Sequence, residues 1–512
     1  VKIDHVGLLP IYLAAATAIL VLVADLLGPQ GVAVATRDGA VAPSPLRVGF
    51  TAGTAIVGSL ATLLASVVVH LDSDEPRVAF CAGQVGFGEG ITPAQCSWTF
   101  DDAAALVAGL VAALVIVVLL LSLPLLRSGA APVGEFCFLL ACSLAGGVAL
   151  GGARDLITLI IALETLTLPI YILVGMRRAD RAAAEGAVTF LLTSVVATAI
   201  ALLGAALLYA STGAVHLDEL VSALALDGQL RPVAGAGLLL LLGGLAFKVA
   251  AVPAHAWAPT TYDGAPVPIA LYLSTASKLG GIVAIIYVVA GAGEEWWHVT
   301  GPALAVLAAG TLLVGSLVAL RQQRMTRLVA WSSVAQTGFI LAPLAGLAVS
   351  QPDAVGSTVA YTLVYLVVEV AAFAGIVALR PRGADGGTLD DYTGLGRTAP
   401  LRAGAFAFAL IGLAGLPPAL AGLFAKVFVV RSLVGAGIWW LAVVVALASV
   451  IGLAVYLRPL VALYRPAPAP RGRGSLVVGG VLAVATVVAV VIGFAPDVLL
   501  RVGEQVAGIA YR

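Results

Sequence analysis

This sequence is poor in charge. Only 11% of its 512 residues are Asp, Glu, Lys or Arg, about half the share found in soluble domains. With 61% hydrophobic residues, the bilayer is the solvent, and length counts membrane spans rather than globular domains. The formal net charge is zero, which argues against a nucleic-acid partner. Cysteine is scarce as well. Cys81, Cys96, Cys137 and Cys142 form neither a CxxC pair nor a Cys/His cluster, which argues against a bound metal or iron–sulfur centre. No cleavable signal is expected in it either: the first apolar run, Leu8 to Leu27, is long enough to span and lacks a basic leader.

What is present is one apolar segment after another. At about 20 residues per span, fourteen are expected, at approximately 8–27, 50–70, 103–126, 133–152, 155–175, 184–211, 233–254, 267–290, 299–320, 325–349, 355–379, 403–430, 436–463 and 475–497. The fold class is therefore an all-α polytopic membrane protein. Basic residues set its orientation. With the N-terminus outside, the inner connections hold 17 arginines and the outer side 7 basic residues. Both termini are thus expected on the outer side. That puts Cys81 and Cys96 in an outer connection, where a disulfide persists; the sequence leaves open whether they bridge. Cys137 and Cys142, inside the fourth segment, read as packing residues.

The chain is organised around Gly244 to Gly281, GLAFKVAAVPAHAWAPTTYDGAPVPIALYLSTASKLGG. Lys248 and Lys278 lie in spans, with Pro253, Pro259, Pro266, Pro268, His255 and Asp263 between them. Prolines beside an intramembrane charge predict a broken helix, tolerated at that depth only inside protein or along a wet cavity. Gly244-Leu245-Ala246-Phe247-Lys248-Val249 resembles Gly422-Leu423-Phe424-Ala425-Lys426-Val427, the latter preceded by Pro417-Pro418. The two copies lie five spans apart and so cross in opposite directions. This predicts inverted five-span repeats with segments seven and twelve broken. The expected divisions are 1–132 (spans one to three), 133–290 (first repeat, spans 4–8), 299–465 (second repeat, spans 9–13) and 474–512 (span fourteen).

Five ionisable residues sit well inside spans: Glu164, Lys248, Lys278, Glu369 and Lys426. Glu164 and Lys278 are mid-span, about 15 Å from either surface at 1.5 Å per residue, too deep to snorkel out. Such residues mark function or pairing. As structural ion pairs they are poor glue, because apolar replacements are often neutral or stabilising. As a proton relay they make sense: burial disfavours the charged lysine and a nearby carboxylate restores it. Glu164 and Lys248 form the expected switch, with Lys278 receiving the proton and Lys426 passing it outward. His255 is either a titrating intermediate or a partner for a freed carbonyl. Ser332, Ser333, Gln336 and Thr337 in the tenth segment serve either a hydrated interior or interhelical bonding.

Glu164, FKVAAVPAHAWAPTTYDGAPVP, STASKLGG, RLVAWSSVAQTG and GLPPALAGLFAKVFVV together resemble the antiporter-like subunits of respiratory complex I, the proton-pumping NADH:quinone oxidoreductase, over about residues 133–465. YDGAPVP, STASK, the lysine at 426 and the short C-terminal end are similar to the family's N branch. The resemblance implies fourteen spans with a hydrophilic axis of Glu164, Lys248, Lys278 and Lys426, and no cofactor in this chain. FMN, iron–sulfur clusters and quinone are implied in partner subunits. Expected neighbours are an antiporter-like M subunit, small K- and J-type subunits and membrane lipids, in a bacterial plasma membrane. Gln336 departs from the family, where many relatives have histidine. Glu369 departs too, standing where relatives usually have an uncharged residue; it is expected either to partner Lys426 or to add a protonatable site. Alternatives are a subunit of a cation/proton antiporter, or a scaffold.

Overall fold

The computed structural model describes residues 2–29, 34–35, 41–73, 75–81, 96–177, 180–224, 229–380, 385–467 and 474–509. Six arginines of the orientation argument (Arg37, Arg178, Arg382, Arg471, Arg473 and Arg512) lie outside these residues. The short strands are β1 (Lys2–Ile3), β2 (Val34–Ala35), β3 (Val41–Ala42), β4 (Arg77–Cys81) and β5 (Cys96–Phe100). The first helices are α1 (Leu9–Leu27), α2 (Pro45–Leu71), α3 (Asp102–Arg127), α4 (Val133–Gly151), α5 (Leu156–Val174), α6 (Arg181–Thr212), α7 (Leu217–Leu224), α8 (Arg231–Lys248) and α9 (Trp257–Gly264). After them come α10 (Val267–Tyr272), α11 (Lys278–Ala292), α12 (Glu294–Ala319), α13 (Met325–Leu341), α14 (Gln351–Leu379), α15 (Leu395–Thr398), α16 (Pro400–Ala414), α17 (Leu420–Gly435), α18 (Trp439–Tyr464), α19 (Leu476–Phe494) and α20 (Pro496–Ile509).

The chain is an all-α polytopic membrane protein. Among the described residues, 13 helical stretches are long and apolar enough to cross a bilayer. The twelfth expected segment, 403–430, is split into α16 and α17, each shorter than a span. Helices begin where side chains replace the missing helical acceptors. Ser44 accepts from Arg47 N at 3.1 Å, Asp101 from Ala104 N at 2.9 Å, and Asp155 from Ile157 N and Thr158 N at 2.8 and 2.7 Å. Asp25, near the end of α1, takes a bidentate Arg47 at 3.0 and 2.7 Å.

Burial sorts the helices. The continuous stretch Val267–Ala292 is buried all round and Met325–Gly346 nearly so, whereas α6 and α19 present most of their surface outward. A helix apolar on every side belongs at the centre, and the central one carries Lys278.

A small sheet that was not expected is also present, an antiparallel β1-β4-β5 arrangement in which Cys81 faces Cys96. The two cysteines are disulfide-bonded. The sheet is seated on the α4–α5 turn: Thr99 N donates to Gly152 O at 2.8 Å, Arg154 N to Ser97 O at 3.0 Å, and Trp98 Nε1 to Ala149 O at 3.1 Å. It thereby steadies the helix that carries Glu164. Cys137 is a buried free thiol and Cys142 is half-buried.

Candidate proton-relay site

Glu164 lies nine residues beyond Asp155, about 14 Å along α5 at 1.5 Å per residue. Its Oε1 is 2.7 Å from Lys248 Nζ, the last residue of α8. Thr198 donates to the same oxygen at 2.6 Å. Lys248 also donates to Thr167 Oγ1 at 3.2 Å and Ser194 Oγ at 3.1 Å. The lysine side chain is 4% exposed and the glutamate 19%. This is a buried ion pair, ringed by hydroxyls that serve either partner.

The helix breaks immediately after Lys248, and backbone groups freed by the break find partners, as membrane depth requires. Thr337 Oγ1 donates to Val249 O at 2.7 Å, Val252 N to Thr311 Oγ1 at 2.9 Å, and Trp257 Nε1 to Phe247 O at 3.1 Å. His255 accordingly belongs to the break: its Nδ1 meets Pro253 O at 3.2 Å and its ring packs on Trp331 at 5.3 Å. Its hydrogen bond is to a carbonyl of the break rather than to Lys248 or Lys278. Asp263 is held by Arg324 at 2.8 Å and Thr326 at 2.6 Å, a clasp at the end of α9.

Lys278 opens α11, directly after a π-helical turn over Leu273–Ser277, a feature frequent at functional sites. Its Nζ donates to Ser333 O at 2.6 Å and Ser333 Oγ at 2.5 Å. The backbone of α11 touches the first pair: a Cβ on Gly281 would stand 3.1 Å from Lys248 Cβ. Ser333 O also accepts from Thr337 Oγ1 at 3.1 Å. Helix α13 therefore joins the Lys278 amine to the break beside Lys248.

Beyond Lys278 the polar line follows α13. Gln336 accepts from Tyr361 at 2.5 Å and donates to Tyr456 at 3.0 Å and Leu413 O at 3.3 Å. Ser332 meets Tyr456 at 2.5 Å. All four polar residues of this segment thus bond across helices. Lys426 Nζ donates to Ala414 O at 2.6 Å, at the gap between α16 and α17, and lies 4.8 Å from the Phe339 ring centroid. It borders a cavity of about 540 Å³ shared with Arg431 and Ser449. The two half-helices meet closely: a Cβ on Gly422 would fall 1.8 Å from Gly412 O.

Glu369 does not partner Lys426, whose hydrogen bond is to a carbonyl. It lies on the Lys278 side, where Ser274 Oγ donates to its Oε1 at 3.0 Å and Tyr365 at 3.3 Å. Tyr361, Tyr365 and Glu369 recur every four residues and share one face of α14. That period is present in YTLVYLVVE.

The family pattern described as NADH:quinone oxidoreductase/Mrp antiporter, TM, matches residues 153–452, which include Glu164, Lys248, Lys278, Glu369 and Lys426. The chain belongs to this family. A Salinispora tropica relative, NADH-quinone oxidoreductase subunit N, is 52% identical over 98% of this chain and 99% of its own. A Streptomyces griseus relative, NADH-quinone oxidoreductase subunit N 2, is 44% identical over 93% and 85%. Among solved structures, a chain of respiratory complex I from Thermus thermophilus with bound aureothin is 28% identical, with a TM-score of 0.75 over 96% of this chain and 98% of that one. A chain of the Mrp complex from Dietzia shares the fold, at 20% identity and a TM-score of 0.83 over 99% of this chain and 98% of that one. Within the family, the antiporter-like chain falls with the N subunits of the respiratory enzyme. It is a membrane subunit of a multi-subunit assembly.

Proposed function

We propose that this chain translocates protons within NADH:quinone oxidoreductase, by a relay running from Glu164–Lys248 through Lys278 to Lys426. The observation that carries the reading is the 2.7 Å Glu164–Lys248 pair at the end of a helix broken in mid-membrane. Breaking a buried pair costs about 3–5 kcal/mol. Moving one charge against the membrane potential takes about 2.3 kcal/mol per 100 mV. Opening and closing this pair is therefore on the right scale to drive one proton. No bond chemistry is assigned to the chain; FMN, iron–sulfur clusters and quinone belong to partner subunits, and energy arrives through small K- and J-type neighbours and an M-type neighbour. Both termini face the outside of a bacterial plasma membrane. Residues 133–290 and 299–465 act as two inverted repeats, a reading supported by the matching helix breaks beside Lys248 and Lys426.

The test is purification in mild detergent, with NADH-dependent quinone reduction and flavin absorbance co-migrating with the chain. In proteoliposomes, Lys248→Met is expected to lower the protons moved per NADH while the complex stays assembled. Sodium-driven proton exchange in a preparation without flavin would instead favour an antiporter.

A further inference from the structure

The second half of the relay holds an acid that the first pair does not account for. Glu369 is fully buried. Its Oε1 takes two hydroxyl donors, whereas Oε2 has no protein hydrogen-bond partner among the described residues. The nearest base is Lys278, also buried, and the two are joined by hydroxyls instead of a direct bridge. Lys278 Nζ donates to Ser333 Oγ at 2.5 Å, Ser333 Oγ and Tyr365 OH are 2.9 Å apart, and Tyr365 OH donates to Glu369 Oε1 at 3.3 Å. The Lys278 amine also lies 5.6 Å from the Tyr365 ring centroid.

We infer that Glu369 is a second proton-carrying acid of the relay, exchanging its proton with Lys278 through Tyr365 and Ser333; this rests on the proton-translocating reading above. Each hydroxyl both donates and accepts, so the wire works in either polarity. When both ends are charged, Lys278 donates to Ser333, Ser333 to Tyr365 and Tyr365 to the carboxylate. Discharge runs in the same order: Lys278 gives a proton to Ser333 Oγ, which releases its own to Tyr365. Tyr365 then passes its own to Glu369, leaving a neutral amine, a neutral carboxyl and both hydroxyls restored. The reverse sequence recharges the pair.

Two further features suit this role. Tyr365 OH also lies 3.0 Å from Ser274 O in the π-helical turn. Rotating one O–H bond onto that carbonyl opens the wire. Oε2 stands outside the wire, so a proton taken there reaches it after the carboxyl turns about its soft terminal torsion. The relay would then contain two acid–lysine couples, direct for Glu164–Lys248 and hydroxyl-bridged for Glu369–Lys278.

The test compares Glu369→Gln, Glu369→Asp, Tyr365→Phe, Lys278→Met and Lys248→Met in the intact complex. Readouts are assembly, protons moved per NADH, and the infrared carbonyl stretch of a protonated carboxyl. Glu369→Gln and Tyr365→Phe are expected to lower the proton ratio to that of Lys278→Met, with Glu369→Asp retaining part of it. The carboxyl band should vanish in Glu369→Gln and shift in Glu369→Asp. A normal proton ratio in assembled Glu369→Gln overturns the inference, as does a normal ratio in Tyr365→Phe. If Glu369→Gln does not assemble, Tyr365→Phe decides, since it leaves the acid in place. A loss in Lys248→Met alone would end this inference and leave the proposed function standing. Normal pumping in Lys248→Met and Glu369→Gln alike would end both.

Discussion

Removing the charge of Glu164 should cost more stability than removing that of Lys248, and removing both should cost least. In Glu164→Gln the Lys248 ammonium keeps two hydroxyl acceptors, at 3.2 and 3.1 Å, but loses its carboxylate partner inside a site where its side chain is 4% exposed. An orphaned charge of this kind costs about 3–5 kcal/mol. In Lys248→Met the remaining carboxylate keeps Thr198 at 2.6 Å and Thr167 at 3.4 Å as donors, and its side chain is 19% exposed. Water and two hydroxyls place its cost nearer about 1–3 kcal/mol. The double variant buries neither charge and should sit close to the unaltered chain. Stepwise heating of the solubilised complex, followed on native gels, gives the order of midpoints. Proton uptake per NADH in proteoliposomes gives function, and all three variants should lose it. If Lys248→Met melts below Glu164→Gln, or the double variant is no more stable than Glu164→Gln, the pair is not the energetic unit described. A double variant that pumps normally refutes the relay itself.

Other perturbations probe the frame. Gly422→Ala should block assembly, because its Cβ would fall 1.8 Å from Gly412 O, while Gly435→Ala, with nothing within 4 Å, should stay within about 0.5 kcal/mol of neutral; pulse-labelled membrane yields compare them. Cys81→Ser should destabilise the outer sheet by about 3 kcal/mol, given a closed loop of 15 residues. In intact cells, an impermeant maleimide should label both cysteines only after an impermeant reductant; labelling confined to inverted vesicles would reverse the assigned orientation. Burial tends to raise the Asp4 carboxyl, but the Gly7 and Val6 amides and Arg77 outweigh it, so its pKa lies below the ordinary value. The stability it contributes is present above the unfolded pKa of about 3.9 and is lost as pH falls through the lower folded value. Asp4→Asn should therefore lower stability at pH 7 by under about 1 kcal/mol, read as a lower melting midpoint, and the gap should close towards acid pH.

Much of this protein was settled by its sequence, for one physical reason. In a bilayer each span must satisfy its own backbone, so composition and length define helices without help from their neighbours. The spans, the break after Lys248 and the identity of the intramembrane charges were all legible because charge and proline are costly there. Glu164–Lys248 was also legible, since few partners exist for a charge at that depth. Tertiary structure decided what depends on side-chain direction. His255 turned to a carbonyl of its own break, and the Cys81–Cys96 hairpin formed a sheet because strand pairing is non-local. Glu369 went to Lys278 rather than Lys426, because the face of α14 that it shares with Tyr365 is packed towards Ser333. Which of two buried lysines an acid meets is set by the packing of α14 against α10 and α13, and no spacing along the chain encodes it.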